Sequence, residues 1–211
     1  MHPFTDAEFE ALIAPPTPTA ARARAVVEEW SSPELVHHCL RSWVWAIALA
    51  ESEKRAFDRE LLYVAAMLHD IGLDTEFDAH AVPFEAAGGA VGWVFAAGAG
   101  WPPARCARVQ QIIERHMWTA VDPELDIEGY LLETATSLDV GGASPERWDA
   151  AFLRDVERRL PRGDFTHHFA SSIAEQAERK PLSQAHRLHA SGRVLAGGDV
   201  WCGLEASTPL G

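Results

Sequence analysis

Signals that start helices recur along this chain, whereas the alternating polar and apolar pattern of a β-strand is almost absent. Thr17, Ser32 and Ser144 each place a capping hydroxyl directly before a proline, and Asp58 places a capping carboxylate before an apolar run. Such side chains satisfy the free N–H groups of a first helical turn, and proline fits the first position because it has no N–H to lose. The chain is therefore predicted to be all-α, a helical bundle.

Glycines and prolines separate the predicted helices at Gly72, Pro102 and Gly141. Because 211 residues lie within the usual size of one domain, we expect a single core. The glycine-rich stretch 86–101 is the most apolar part of the chain, but it is too short for a membrane span and is predicted to be a closely packed core helix. Helices are predicted over residues 5–13, 18–30, 33–53, 58–71, 83–98, 103–118, 126–140, 145–160 and 165–179.

The charge balance argues against two classes of partner. The formal net charge of -13 repels phosphate backbones and anionic lipid heads. We therefore expect a small-molecule substrate and no nucleic-acid or membrane partner, and we leave homo-oligomerisation open. The arginines are scattered along the chain, so a local pocket for a small phosphorylated substrate also stays open.

The cysteines and the N-terminal residues bear on the cellular compartment. Cys39, Cys106 and Cys202 are widely separated and form no CxxC pair, which argues against a disulfide framework or a thiolate zinc site. They are expected to be buried thiols. The sequence begins without a basic region followed by an apolar run and contains no Asn, so we expect a cytoplasmic protein.

Polar residues interrupt helices that are otherwise built for burial. His38 lies in the third predicted helix, His69 and Asp70 end the fourth, and Asp139 lies near the end of the seventh. An ionised carboxylate in apolar surroundings costs on the order of several kcal/mol unless a cation or hydrogen bonds compensate it. Asp70 and Asp139 therefore need partners, and a metal ion held together with the two histidines would be one. Such an N/O donor set suits Zn, Fe, Mn, Co or Ni.

The order His38, His69-Asp70, Asp139 resembles the HD-domain superfamily of metal-dependent hydrolases. This resemblance implies an enzyme with a single all-α HD-domain bundle. It also implies that these four residues bind one divalent transition metal, zinc or iron, with Asp70 counted among the catalytic residues.

The resemblance also divides the chain into segments. It places the HD-domain core at 33–142, preceded by an N-terminal helical extension over 1–32. The C-terminal helices of 143–196 are expected to pack on that core. Residues 197–211 are predicted to be a loosely ordered tail.

Within the superfamily, the local sequences are most similar to the cyanamide hydratase group. Residues 38–41 resemble its His-Ser-x-Arg stretch, with Cys39 in place of Ser, and residues 69–72 resemble its His-Asp-x-Gly stretch. Residues 84–85 resemble its Phe-Glu element, and residues 136–139 its final Asp element. The resemblance therefore implies a hydratase or hydrolase of a small electrophile, in which metal-bound hydroxide adds to cyanamide and gives urea.

Two departures from other HD enzymes support hydration at one metal. Leu73 stands where phosphohydrolases and diiron members often have Lys, and Glu85 stands where they often have a further His. The alternative reading is an HD-type phosphohydrolase that acts on a nucleotide or small phosphomonoester. A non-catalytic HD module that binds a small ligand and signals is also left open.

Further site residues are inferred from their position relative to this motif. His116, late in an apolar helix, is predicted to transfer protons, because imidazole titrates near neutral pH. Glu85 is expected to orient water or substrate. Arg41 either pairs with a buried carboxylate or contacts the substrate, and Trp93 or Trp118 is expected to wall the substrate site. The loop residues Asp74, Asp78 and His80 lie where the mouth of a site is expected, although polar residues are ordinary in loops. The spacing of His167, His168, His186 and His189 suits chelation, but without acidic companions these histidines are expected to be exposed or capping residues.

Overall fold

Every regular element of the described chain is a helix. The computed structural model describes residues 4–206, with side chains described as far as residue 203, and no strand occurs within that range. The predicted all-α fold is confirmed. Short 3-10 helices occupy Ile71–Leu73 and Pro145–Arg147. The α-helices are α1 Asp6–Ile13, α2 Pro18–Trp30, α3 Pro33–Ser52, α4 Arg59–Leu68, α5 Phe84–Gly98, α6 Pro103–Arg115, α7 Ile127–Gly141, α8 Ala150–Arg159, α9 Phe165–Arg179, α10 Gln184–Ser191 and α11 Arg193–Ala206.

Side-chain caps start α2, α3 and α4 as the sequence predicted. The Thr17 and Ser32 hydroxyls and the Asp58 carboxylate each accept a hydrogen bond from the backbone N–H three residues further on. The prediction is wrong at Ser144, which adopts a left-handed conformation and makes no capping bond. Asp149 caps α8 instead, so the predicted helix 145–160 is a 3-10 turn followed by a shorter α-helix.

Helix α3 lies at the centre of the bundle. Every side chain from residue 38 to residue 50 is buried, which requires other elements on all sides of the helix. Helices α4 and α7 pack most extensively against it, and α1, α2, α8 and α9 also contact it. The Trp43 indole N–H donates to the Leu12 carbonyl at 2.9 Å, and the Trp148 indole donates to the Trp45 carbonyl at 3.2 Å. Helices from both ends of the chain therefore share one core.

Helix α5 covers most of the glycine-rich stretch and packs closely on α6. A Cβ atom at Gly92 would lie 2.6 Å from the Ile113 side chain, so a larger residue there would force the helices apart. The opposite face is exposed, with Trp93 at 38% and Val94 at 66% of their full accessibility. The stretch is thus a helix packed on one side only.

The C-terminal segment differs from its prediction. Helices α10 and α11 were not predicted, and residues 197–206 continue α11 instead of forming a loose tail; residues 207–211 lie outside the described part. A Cβ atom at Gly197 would lie 2.3 Å from a backbone oxygen of α7, so α11 packs tightly there. Trp201 is buried and stacks on Trp45, with 6.1 Å between ring centroids.

The described residues contain three unpaired cysteines and no helix suited to crossing a bilayer. Cys39, Cys106 and Cys202 are free thiols. The first two are buried as expected, whereas Cys202 on α11 is exposed. Among residues 4–206, no helix combines the length and the apolar character that crossing a bilayer would require.

Gly72 lies where the 3-10 turn meets α5, and a side chain at this position should destabilise the protein. An added Cβ would be 2.1 Å from the Phe84 carbonyl oxygen and 2.9 Å from the Gly88 nitrogen. We expect Gly72→Ala to lower the free energy of unfolding by on the order of 1–3 kcal/mol, since backbone must move, as measured by urea denaturation.

Gly98→Ala is the matched control, because nothing lies within 4 Å of a Cβ at that helical position. This control should be unchanged or stabilised by up to about 1 kcal/mol. Equal effects of the two substitutions would contradict the close packing at Gly72.

Candidate metal centre

Two helix C-termini aim histidine rings at the same point. His69 ends α4 and His116 ends α6, each a little earlier than the sequence predicted. The Nδ1 atom of each ring donates to the carbonyl three residues before it, Ala66 for His69 at 2.8 Å and Ile113 for His116. A carbonyl can only accept, so both Nδ1 atoms carry the proton. In the neutral form of each ring, Nε2 therefore carries the lone pair.

The third imidazole comes from the buried helix α3. His38 Nε2 lies 3.0 Å from His69 Nε2 and 3.2 Å from Asp70 Oδ2, and His69 Nε2 lies 3.3 Å from the same oxygen. A tetrahedral ion with ligand bonds of about 2.0–2.1 Å separates its ligand atoms by about 3.3–3.4 Å. The three atoms are therefore spaced like three corners of one metal coordination shell.

The protonation of the imidazoles strengthens this interpretation. His38 Nδ1 donates to the Asp139 carboxylate at 2.7 Å, just as His69 Nδ1 donates to a carbonyl. With both Nδ1 atoms protonated, neutral rings would present two lone pairs to each other at 3.0 Å. Such a contact is unfavourable unless a cation or an added proton lies between the nitrogens. Hydrogen bonds from Nδ1 to oxygen also commonly orient histidines that bind metals.

Asp70 is the carboxylate of this group, and it is nearly fully buried. Neither of its oxygens has a well-formed hydrogen bond among the described residues. Burial disfavours its charged form, but the imidazoles of His69, His116 and His38 hold the pKa of the carboxyl well below its usual value. An ionised, buried carboxylate without hydrogen bonds needs a cation, so the residues fit a divalent metal. His38, His69 and Asp70 are the described residues whose ligand atoms converge in this way.

The surroundings shift the pKa values of His69 and His116 in opposite directions. Burial alone would lower the pKa of His69, but the adjacent Asp70 carboxylate outweighs burial and raises that pKa well above its ordinary value. For His116, burial prevails and lowers the pKa. Its Nε2 lies 3.4 Å from Asp70 Oδ1, and its ring meets the His69 ring edge-on at 4.9 Å. His116 is therefore a neutral base beside the candidate metal position.

A small cavity opens from this cluster. Its volume is about 110 Å³, and His38, His69, Asp70 and His116 line one end. Helices α7, α9 and α10 supply much of the remaining wall. Molecules that reach the candidate metal position through this cavity must therefore be small. The wall residues include Trp118, Thr136, Ser137, Phe169, Gln184, Arg187, Leu188 and Arg193.

Asp139 does not join the group of candidate ligands. It is completely buried, and its oxygens accept hydrogen bonds from His38, Arg41, Trp45 and Arg162. The structure therefore does not bring Asp139 into the group that was predicted to bind a metal, and guanidinium and indole groups surround this carboxylate instead. Burial would raise its pKa, but the charges of Arg162 and Arg41 hold the pKa well below its usual value.

The other predicted site residues are divided between the cavity and its surroundings. Arg41 binds Asp139, is fully buried and does not line the cavity, so the structure places it beside a core carboxylate. Glu85 is buried at the start of α5, where burial raises its pKa, but it does not line the cavity. Trp93 also lies outside the lining, on the exposed face of α5. Trp118 lines the cavity and is half exposed.

Three of the remaining polar positions, Asp78, His167 and His168, have structural partners. Asp78 pairs with Arg179 and Lys180, and His167 and His168 pair with Asp164 at the start of α9. None of these belongs to a metal-binding group among the described residues. They are consistent with the capping and exposed roles that the sequence favoured.

Sequence reasoning missed two sets of residues near the centre. Arg162 and Trp201 contact Asp139, although they lie in segments that the motif did not include. Gln184, Arg187 and Arg193 line the cavity from helices that were not predicted. No local sequence signal marks either set, because only the tertiary packing of the C-terminal helices brings them to the site.

Comparison with known proteins agrees with this geometry. Residues 35–117 match the family model of the HD domain, and this segment includes His38, His69, Asp70 and His116. The chain is also 29% identical over 187 residues to the cyanamide hydratases DDI2 and DDI3 of Saccharomyces cerevisiae. These matches cover 84% of this chain and 81% of each relative. Residues 35–117 therefore resemble an HD domain, as the sequence predicted, and the all-α fold and the converging His and Asp side chains agree with that resemblance.

Proposed function

We propose that this protein is a metal-dependent hydratase or hydrolase of a small electrophile, with cyanamide, converted to urea, as the best single substrate. The convergence of His38 Nε2, His69 Nε2 and Asp70 Oδ2 at the end of a small cavity carries the proposal. The similarity to two cyanamide hydratases supports the choice of substrate. The acidic chain and its narrow site suit a small molecule rather than a polymer.

His38, His69 and Asp70 would hold one divalent transition metal, and zinc or iron suits these nitrogen and oxygen donors. When bound, the metal supplies a Lewis acid that makes water nucleophilic near neutral pH. Residues of the protein would orient the metal ligands and move the protons. Asp139 and the Ala66 carbonyl hold the two imidazoles in the tautomer that leaves Nε2 free.

His116 is placed to move protons. Its Nδ1 is committed to the Ile113 carbonyl, so its Nε2 accepts the proton and faces Asp70 and the cavity. In the hydration of cyanamide, a water oxygen bonds to the nitrile carbon while one C–N π bond breaks. His116 Nε2 takes a proton from that water and delivers it to the nitrile nitrogen. A further proton shift from oxygen to nitrogen gives urea.

A phosphohydrolase is the second candidate, and one observation favours it. Arg187 and Arg193 line the cavity, and guanidinium groups suit phosphate oxygens. No ion pair within 4.0 Å involves either arginine in the described part of the chain. Phosphate release from a nucleotide or a small phosphomonoester, in the absence of urea formation from cyanamide, would favour this candidate.

The first prediction tests the substrate. Purified, metal-loaded protein should produce urea from cyanamide, measured by a colorimetric urea assay. Asp70→Ala should lower the rate at least ~100-fold, because it removes the carboxylate of the metal group. Asp199→Ala, at an exposed position on α11, is the matched control and should keep the wild-type rate. Fully metallated wild-type protein that forms no urea would reject cyanamide.

The second prediction concerns metal content. Wild-type protein should bind one transition-metal ion per chain by elemental analysis, whereas Asp70→Ala should retain none after dialysis. Binding requires neutral imidazoles, so acidification should release the ion as protons compete for His38 and His69. Metal content independent of both pH and Asp70 would contradict the assigned centre.

The third prediction concerns His116. We expect His116→Gln to lower kcat by about 10²–10⁴-fold, the usual contribution of a general acid–base group. Its metal content should stay at the wild-type level, since His116 lies outside the converging group. Burial lowers the pKa of His116, so the base is neutral at pH 7 and the wild-type rate should fall only below the ordinary imidazole value of 6.5. His167→Gln is the exposed control, and normal turnover in His116→Gln would remove the assigned role.

A further inference from the structure

We propose that Asp139 is a positioning residue and not a metal ligand: it holds His38 with Nε2 aimed at the ion, and helices outside the matched HD segment hold Asp139 in turn. This inference rests on the metal centre of the proposed function. It differs from the four-ligand site that the motif implied.

The hydrogen bonds of Asp139 leave no room for an ion. Oδ2 accepts from His38 Nδ1 at 2.7 Å and from Arg41 Nη2 at 2.9 Å. Oδ1 accepts from Arg41 Nε at 2.8 Å, Trp45 Nε1 at 2.9 Å and Arg162 Nη1 at 3.2 Å. A carboxylate offers about four lone-pair sites. These donors occupy them all, and the side chain has no exposed surface.

The position of Asp139 relative to His38 excludes ligation in this arrangement. Nδ1 and Nε2 lie on opposite edges of an imidazole ring. Asp139 contacts Nδ1, whereas His69 and Asp70 meet Nε2, so the ring of His38 separates Asp139 from the candidate metal position. The ring cannot easily turn, because Phe165 stacks on it with 4.7 Å between centroids.

The charged groups around Asp139 also support its assignment as a positioning residue. Arg41 and Arg162 both bind Asp139, and Arg162 also binds Glu157 at 3.0 Å. These two cations offset the two buried carboxylates without help from a metal ion. Asp70, by contrast, has no arginine or lysine among its ion-pair partners in the described residues. Arginines thus compensate Asp139, whereas only imidazoles, which can also bind a metal ion, face Asp70 in the described chain.

The groups that fix Asp139 come from distant parts of the chain. On α3, the spacing of His38, Arg41 and Trp45 places all three on one face of the helix. Arg162 follows α8 and also donates to the Asp139 carbonyl oxygen. Trp201 on α11 donates to the same carbonyl at 3.0 Å. Segments beyond residue 142 therefore complete the metal centre by holding the residue that orients His38.

Binding of Co²⁺ to the full chain tests the proposal without relying on turnover. Asp139→Asn should still bind one Co²⁺ per chain, with a dissociation constant raised about 10–100-fold in competition with a chelator. Its visible absorption bands should keep the position and intensity of the wild type, because the ligands are unchanged. Asp70→Ala should bind none. Loss of binding in Asp139→Asn as complete as in Asp70→Ala, or a spectrum that reports one fewer ligand, would overturn the proposal.

Asp155→Asn is the matched control for general destabilisation. Asp155 is also buried and bound to two arginines, Arg158 and Arg159, but it does not contact His38. This variant should keep the wild-type affinity for Co²⁺. A loss of affinity equal to that of Asp139→Asn would show a structural effect only and would also overturn the proposal.

A measurement on the wild type covers the case in which Asp139→Asn does not fold. In proton NMR spectra, the Nδ1 proton of His38, assigned by its absence in His38→Gln, should stay hydrogen-bonded and protected from exchange with water both before and after loading with Zn²⁺. A ligand role would pull Asp139 away from Nδ1, so the proton would exchange rapidly with water on loading. A wild type that binds no metal would overturn the proposed function, whereas loss of that protection in a loaded wild type would overturn only this inference.

Discussion

Two carboxylates are buried in the same core, and the different ways in which they are compensated organise the site. Asp139 receives two guanidinium groups, an indole and an imidazole, all at hydrogen-bonding distance. Asp70 lies among imidazoles with no well-formed hydrogen bond in the described chain. Leaving a buried carboxylate uncompensated costs several kcal/mol, on the order of a large fraction of a domain's stability. The core around Asp70 therefore makes sense as a place reserved for a cation.

The sequence predicted the features that depend on local patterns. Capping residues such as Ser32 and Asp58 marked helix starts, and the isolated polar residues His38 and His69 marked the centre. What it could not predict was which of several partners satisfies a buried carboxylate. Arg162 is far from Asp139 in the sequence, and no pattern shows that a guanidinium rather than an ion reaches that residue.

The errors at the C-terminal end and among the tryptophans have related causes. Helix α11 is rich in glycine and only weakly amphipathic, so it gave no periodic signal; its packing depends on Gly197 fitting against α7 and on the buried Trp201. Trp93 and Trp118 were indistinguishable as candidate walls of the site. Only tertiary packing decides that Trp118 lines the cavity and Trp93 faces solvent.

Anomalous X-ray diffraction from crystals of the metal-loaded protein, recorded at the absorption edge of the bound metal, locates the ion directly. We expect one strong peak per chain, within bonding distance of His38 Nε2, His69 Nε2 and an Asp70 oxygen, with Asp139 still bound to His38 Nδ1. A peak bonded to Asp139, or no peak among these residues in crystals shown to contain the metal, would contradict this expectation.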